Sequence, residues 1–108
     1  MHLDDYQQLA ARTLNAAQTP DQRLANAALG LTGEAGEVAE HVKKHLFHAT
    51  PLDRDAVAKE LGDCLWYLAA LATSLELSLA DVAGRNIEKL RRRYPDGFSE
   101  ERSRNRVE

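Results

Sequence analysis

The chain has 108 residues, of which 44% are hydrophobic and 29% are charged, and its formal net charge is −3. This length and composition fit one globular domain and exclude two independent cores, a collagen-like chain and a wholly disordered chain. Cys64 is the single cysteine, which excludes an internal disulfide, and no apolar run reaches the roughly 20 residues of a membrane span. We therefore expect a cytoplasmic protein without a membrane partner.

Charge is unevenly distributed along the chain. Residues 1–84 contain 12 acidic and 6 basic residues, whereas residues 85–108 contain 5 acidic and 8 basic residues. A basic end of this size is too weak to predict binding of duplex nucleic acid, which needs a strongly basic face. It can instead place cations beside an acidic site formed by the rest of the chain.

Three prolines divide the chain into segments whose apolar residues have helical spacing. Thr19, Asp53 and Ser78 precede three of these segments and are candidate N-caps. No segment shows a strand pattern, so the sequence predicts an all-α bundle of four helices. The predicted helices are about Leu3–Ala17, Pro20 to His45–Phe47, Asp53 to Leu75–Leu77, and Ser78 to Tyr94. We expect one domain over residues 1–98 and a polar tail over residues 99–108.

The two longest predicted helices carry most of the apolar surface. The apolar residues of the second helix alternate in steps of four and three, which predicts a heptad-like seam for packing on another helix. This seam consists of Leu24, Ala28, Leu31, Ala35, Val38, Val42 and Leu46. The third helix is apolar around most of its circumference, which predicts a central helix or one covered by a second subunit. Gly30, Gly33 and Gly36 predict the close approach of a backbone or a ligand.

Acidic residues border the apolar surfaces of both long helices. Glu34 and Glu37 are three residues apart on the second helix, and Glu60 and Asp63 repeat this spacing on the third. If the two helices pack antiparallel, four carboxylates converge at the rim of their interface. They cannot all stay ionised without a counter-charge, which a hard cation such as Mg²⁺ or Mn²⁺ supplies. Such a site provides the activated water and the charge neutralisation that phosphoanhydride hydrolysis requires.

These motifs resemble those of a known family, the MazG-like all-α nucleoside triphosphate pyrophosphohydrolases. The resemblance rests on the stretches GLTGEAGEVAE at 30–40, ELGDCLWYL at 60–68 and NIEKLRRRYPDGF at 86–98, and it covers about residues 22–98. It implies hydrolysis of a nucleoside or deoxynucleoside triphosphate between the α and β phosphates, giving a monophosphate and pyrophosphate, in house-cleaning of the nucleotide pool. It also implies a four-helix bundle completed by oligomerisation, as a homodimer or homotetramer.

By matched position, the resemblance also implies the residues of the site. The Mg²⁺ ligands would be Glu34, Glu37, Glu60 and Asp63. One of the glutamates, with Glu37 and Glu34 as the candidates, would instead orient or deprotonate the attacking water. The residues facing the phosphates would be Asn86, Lys89, Arg93 and Tyr94.

The aromatic residues of the third helix leave two interpretations open. Tyr67 lies one turn after Asp63 and can stack on a nucleotide base, or it can be a tyrosine at the rim of the core. Trp66 lies about 100° away on the helix and is expected to fill a helix or subunit interface. His41 shares the face of the carboxylates and is expected beside the metal ligands or at the surface.

Two other functions remain compatible with the sequence. A phosphoribosyl-ATP pyrophosphohydrolase would have a related fold and related carboxylate motifs. A non-catalytic helical bundle would bind nucleotide, metal or a partner protein without turnover. Assays on a panel of nucleotides separate these functions.

Overall fold

The computed structural model describes residues 1–106, and it contains five α-helices and no named strand in that range. The helices are α1 (Leu3–Ala11), α2 (Pro20–Phe47), α3 (Arg54–Ser74), α4 (Leu79–Arg93) and α5 (Glu100–Arg104). The all-α prediction is confirmed, and α1 to α4 correspond to the four predicted helices. The short helix α5 lies within the predicted polar tail, of which residues 107 and 108 lie outside the described residues.

Three side chains that the sequence predicts as N-caps start α2, α3 and α4. Thr19 and Gln22 form a reciprocal capping box, in which each side chain accepts a hydrogen bond from the other residue's backbone N–H. Asp53 and Ser78 each accept a hydrogen bond from the backbone N–H three residues later, at 3.0 and 3.2 Å. These bonds satisfy N–H groups that have no partner inside the helix, so the helix starts are fixed locally.

Helix α1 is shorter than the sequence predicts, because it ends at Ala11 instead of Ala17. Beyond it, the Thr13 hydroxyl donates to the Ala10 carbonyl at 2.7 Å, and the Asn15 side chain accepts from the Ala17 N–H at 3.0 Å. Such local side-chain bonds offer the backbone an alternative to the helix. Residues 12–19 therefore form a loop, and this loop carries Thr13 to the side of α3.

Helices α2 and α3 form an antiparallel hairpin. Gly30 lies against Tyr67, whereas His41, three turns later on α2, lies 3.9 Å from Glu60, two turns earlier on α3. The predicted seam of α2 is only partly buried. Leu24, Leu31 and Val38 are half-buried beside the face with Gly30 and His41, whereas the other predicted seam residues are exposed, namely Ala28, Ala35, Val42 and Leu46.

The core of the described chain consists mainly of small residues on α3. The buried residues are Ala27, Ala69, Ala70, Ala72 and Leu79, and no large side chain is fully buried. Alanines allow helix backbones to approach closely, and α1, α2 and α4 all pack against α3. The prediction that the third helix is central is therefore confirmed.

A sharp corner joins α3 to α4. Glu76 adopts a left-handed backbone conformation with φ 58°, which ends α3, and α4 then departs at 103°. Gln7 of α1 braces this corner, since its amide donates to the Leu77 carbonyl at 2.9 Å and accepts from the Leu79 N–H at 2.7 Å. Within residues 1–106, no single helix meets the length and hydropathy needed to cross a membrane, although α3 and α4 meet them as a bent pair.

The described chain is more open than a compact domain of its length. Its radius of gyration is 16.9 Å, compared with about 13 Å for a compact chain of this size. Its accessible surface is 8022 Å², compared with about 6,000 Å² for a compact monomer. Part of the excess is a leucine stripe with heptad spacing on α3, formed by Leu61, Leu68 and Leu75, which are 55%, 42% and 54% exposed.

Candidate metal centre

Three carboxylates converge where α2 crosses the first half of α3. Oxygen atoms of Glu34, Glu60 and Asp63 all lie within 4.8 Å of one another. Glu34 and Glu60 are half-buried, and Asp63 is exposed at the edge. The i, i+3 spacing of Glu60 and Asp63 places both on one face of α3, and the antiparallel register brings Glu34 opposite them. This cluster unites three of the four residues predicted as metal ligands.

The cluster has more negative charge than its surroundings can balance. The pKa of Glu34 is raised from 4.5 to about 7, first by a hydrogen bond with the Glu60 side chain, then by burial and by the charges of Asp63, Glu60 and Glu37. The Glu34–Glu60 pair therefore retains a proton at a pH where isolated carboxyls are ionised. A divalent cation would replace that proton, and a donor set made only of carboxylate oxygens suits Mg²⁺ or Mn²⁺.

Glu37, the fourth predicted ligand, lies outside this group of three. It is exposed on α2 one turn after Glu34, and its charge contributes to the raised pKa of Glu34. It is therefore close enough to interact with the cluster electrostatically. Its predicted roles as a ligand or as the water-activating group stay predictions.

Two further side chains border the cluster. His41 Nε2 lies 3.9 Å from Glu60 Oε1, in agreement with the expectation that it stands beside the ligands. Tyr6 of α1 has a raised phenol pKa, caused first by burial and then by the negative charge of Asp63. Tyr6 was not predictable as a neighbour of the cluster, because it belongs to a separate helix and has the spacing of an ordinary apolar position.

A cleft of about 380 Å³ opens over the carboxylates. The residues that line it are Thr13, Glu34, Asp63, Trp66 and Tyr67. The Trp66 and Tyr67 rings meet edge to face, with centroids 5.0 Å apart and planes at 89°. Tyr67 is thus placed beside the carboxylates, where it lines the cleft. Trp66 contacts α1 as expected for an interface residue, but it also lines the cleft.

Gly30 is required by the position of Tyr67. A Cβ atom built on Gly30 would lie 2.8 Å from Cδ1 of Tyr67 and closer still to Cε1 and Cζ. A close approach therefore occurs at Gly30, but the approaching group is an aromatic side chain instead of the predicted backbone or ligand. At Gly33 and Gly36, no described atom outside the helix lies within 4 Å of such a Cβ.

The predicted phosphate-facing residues do not line the cleft. Asn86, Lys89 and Arg93 lie on α4, and Tyr94 directly follows this helix. None of the four is among the described residues that line the cleft. Tyr94 instead packs against Phe98, with ring centroids 5.5 Å apart. The contacts of these four residues with phosphates stay predictions.

Comparison with known proteins identifies the family. Residues 22–98 match the MazG nucleotide pyrophosphohydrolase domain. The chain belongs to this family. The matched range includes α3, α4 and all of α2 except its first two residues, so it contains the carboxylate cluster and the aromatic wall of the cleft. Membership in the MazG family assigns the chain to the nucleotide pyrophosphohydrolases, as the sequence motifs imply.

A curated relative supports this assignment over most of the chain. The Gene 37 protein of Mycobacterium phage L5 is 40% identical over 105 residues, which cover 90% of this chain and 92% of the phage protein. The name of that relative states no activity. No solved structure matches the chain significantly.

The raised pKa of Glu34 gives a first testable prediction, for the metal-free protein. Because the folded state binds a proton that the unfolded state releases above pH 4.5, Glu34 contributes stability that is lost as the pH rises through about 7. When the pH is raised from about 5.5 to about 8 in the presence of chelator, we expect the urea concentration at the unfolding midpoint to fall more in wild type than in Glu34→Gln. The glutamine keeps a hydrogen-bond donor toward Glu60 but does not titrate.

The control is Glu40→Gln, an exposed change on the same helix, which should keep the wild-type pH slope. We also expect Mg²⁺ to raise the midpoint of wild type more at the higher pH, since no proton then has to be displaced. Equal slopes in wild type and Glu34→Gln would contradict the proton shared by Glu34 and Glu60.

Proposed function

We propose that this chain hydrolyses nucleoside or deoxynucleoside triphosphates between the α and β phosphates, releasing a monophosphate and pyrophosphate, with Mg²⁺ or Mn²⁺ as cofactor. The observation that carries the proposal is the convergence of Glu34, Glu60 and Asp63 beneath an aromatic-walled cleft in a MazG-family chain. We further propose that it acts on the cytoplasmic nucleotide pool, as a house-cleaning enzyme.

In this proposal, Glu34, Glu60 and Asp63 hold the cation. A bound divalent cation supplies two things to phosphoanhydride hydrolysis, which are neutralisation of phosphate charge and a lowered pKa of water. His41 supports the ligand set, because its ring lies beside Glu60 and can fix the orientation of that carboxylate. The half-buried position of Glu34 and Glu60 favours this role, since buried carboxylates need a counter-charge.

We assign the attacking water to Glu37, with Glu34 as the second candidate. Glu37 lies one turn from Glu34, outside the group of three oxygens, and it is exposed to solvent. A carboxylate that is not committed to the cation can accept the proton of a water molecule or orient it for in-line attack. The aromatic wall formed by Trp66 and Tyr67 supports a place for the base, since every base has a face that stacks on aromatic rings.

We propose that the site works in a homodimer or homotetramer. The described chain exposes about 2,000 Å² more surface than a compact monomer of its size, and obligate interfaces bury 2,000 to about 5,000 Å² in total. The leucine stripe on α3 (Leu61, Leu68 and Leu75) has the heptad spacing of a helix-packing seam.

The proposed activity gives a second prediction. We expect purified protein with Mg²⁺ to release pyrophosphate from at least one triphosphate in a panel of standard, deoxy and modified nucleotides. Asp63→Asn should lower kcat/KM by at least about 100-fold, because it removes a charged ligand. The same change should leave the metal-free fold as stable or more stable, because it relieves repulsion. Pyrophosphate release is measured by a coupled inorganic phosphate assay.

The matched control is Asp55→Asn, an exposed carboxylate in the first turn of the same helix, which should keep full activity. Chelator should abolish turnover, and Mg²⁺ or Mn²⁺ should restore it. Wild-type activity in Asp63→Asn would contradict the assignment of the site. Cleavage of phosphoribosyl-ATP and of no other nucleotide in the panel would favour a phosphoribosyl-ATP pyrophosphohydrolase. Metal binding without turnover would favour a non-catalytic binding protein.

The proposed association gives a third prediction. We expect light scattering to show wild type as a dimer or tetramer and Leu68→Glu as a smaller species, because a charge in an apolar seam is costly to bury. Leu9→Glu is the matched control, since Leu9 is similarly exposed, at 46%, but belongs to α1. A monomeric wild type, or a Leu68→Glu variant of unchanged mass, would contradict the role of the stripe.

A further inference from the structure

A hydrogen bond joins the loop after α1 to the aromatic wall of the cleft. The Trp66 indole Nε1–H donates to the Thr13 hydroxyl at 2.7 Å, between residues 53 positions apart in the chain. Thr13 lies in the loop that follows the early end of α1, and it lies outside the residues that match the MazG family. The bond is therefore a feature that the family assignment does not explain.

In this hydrogen bond, Trp66 is the donor and the Thr13 hydroxyl is the acceptor. The Thr13 hydroxyl donates its single hydrogen to the Ala10 carbonyl at 2.7 Å, which leaves its lone pairs to accept from Trp66. The indole has one N–H and no other polar group, so its partner determines the orientation of the ring in its plane. Thr13 is itself held by its backbone N–H, which bonds to the same Ala10 carbonyl at 3.0 Å.

The orientation of Trp66 is passed to Tyr67. The two rings meet at 89° with centroids 5.0 Å apart, and the Tyr67 ring also lies against Gly30. Tyr67 is therefore in contact with both Gly30 and the Trp66 ring. Both rings and Thr13 line the cleft that contains Glu34 and Asp63.

We propose that Thr13 is a positioning residue for substrate binding, which acts through Trp66 to fix the Tyr67 ring at the wall of the cleft. The proposal rests on the proposed function, because it treats the cleft as the nucleotide site. Thr13 contributes to the affinity for the triphosphate and leaves the chemical step at the carboxylates unchanged. A change there alters KM more than kcat.

The chain offers a matched control for a merely structural role. Thr73 also accepts a hydrogen bond between α1 and α3, from the Gln7 amide at 3.1 Å, but it is not among the residues lining the cleft over the carboxylates. Thr13→Val and Thr73→Val each remove one such hydroxyl and preserve side-chain shape. If Thr13 only ties α1 to α3, the two variants behave alike.

The experiment measures steady-state kinetics of the full chain with its best triphosphate and Mg²⁺. We expect Thr13→Val to raise KM about tenfold while kcat stays within about twofold, the loss expected for one hydrogen bond. Thr13→Ser should restore the wild-type KM, and Thr73→Val should keep it. A wild-type KM in Thr13→Val, an equal rise in Thr73→Val, or a fall in kcat without a rise in KM would overturn the proposal.

A second measurement separates this proposal from the proposed function. Trp66 is the single tryptophan, so its indole N–H gives one assignable NMR resonance. The chemical shift of this resonance is measured while an α,β-methylene nucleotide is added in the presence of Mg²⁺, which gives the dissociation constant of the analogue. We expect Thr13→Val to move this resonance in the free protein and to weaken analogue binding about tenfold. If wild type binds the analogue but hydrolyses none of the triphosphates, the proposed function fails. The role of Thr13 is then still tested by the affinity of Thr13→Val for the analogue.

One further variant keeps the test decisive if Thr13→Val does not fold. Trp66→Phe removes the donor and retains an aromatic ring, so it should raise KM, or the dissociation constant of the analogue, to the same extent. A wild-type affinity in Trp66→Phe would overturn the proposal.

Discussion

Repulsion among three carboxylates is the constraint on which the rest of the site depends. Glu34, Glu60 and Asp63 lie within 4.8 Å of one another, and the pKa of Glu34 rises to about 7 because Glu60 shares a proton with it and because neighbouring charges oppose its ionisation. A proton relieves this repulsion at low pH, and a divalent cation would relieve it near neutrality. The cluster therefore destabilises the metal-free protein near neutral pH, and a bound hard cation would remove this destabilisation.

The packing of α2 on α3 places the carboxylates at this distance. Gly30 lacks the Cβ that would meet the Tyr67 ring, and the buried alanines Ala27 and Ala70 keep the helices close in the same region. The cost is a core in which no large side chain of the described residues is fully buried, and apolar surface such as Leu68 stays exposed. The requirement for a close helix pair and the proposed need for a second copy therefore have one physical origin.

The sequence was sufficient for features that depend on local chemistry. Thr19 begins a helix because its side chain bonds within one turn, and Glu60 and Asp63 share a face because of helical spacing. Contacts between distant residues were predicted only in part. The antiparallel packing of the long helices brings Glu34 to Glu60 and Asp63 as expected, but only part of the predicted α2 seam is half-buried. The positions of Tyr6 and Thr13 were not predicted, because they follow from how the N-terminal segment docks on α3.

Anomalous diffraction from crystals grown with Mn²⁺ would show directly whether this cluster holds one divalent cation. We expect one anomalous peak within about 2.5 Å of carboxylate oxygens from Glu34, Glu60 and Asp63, and its loss in Asp63→Asn. A map with no peak at these residues under saturating Mn²⁺, or a peak coordinated elsewhere in the chain, would contradict this expectation.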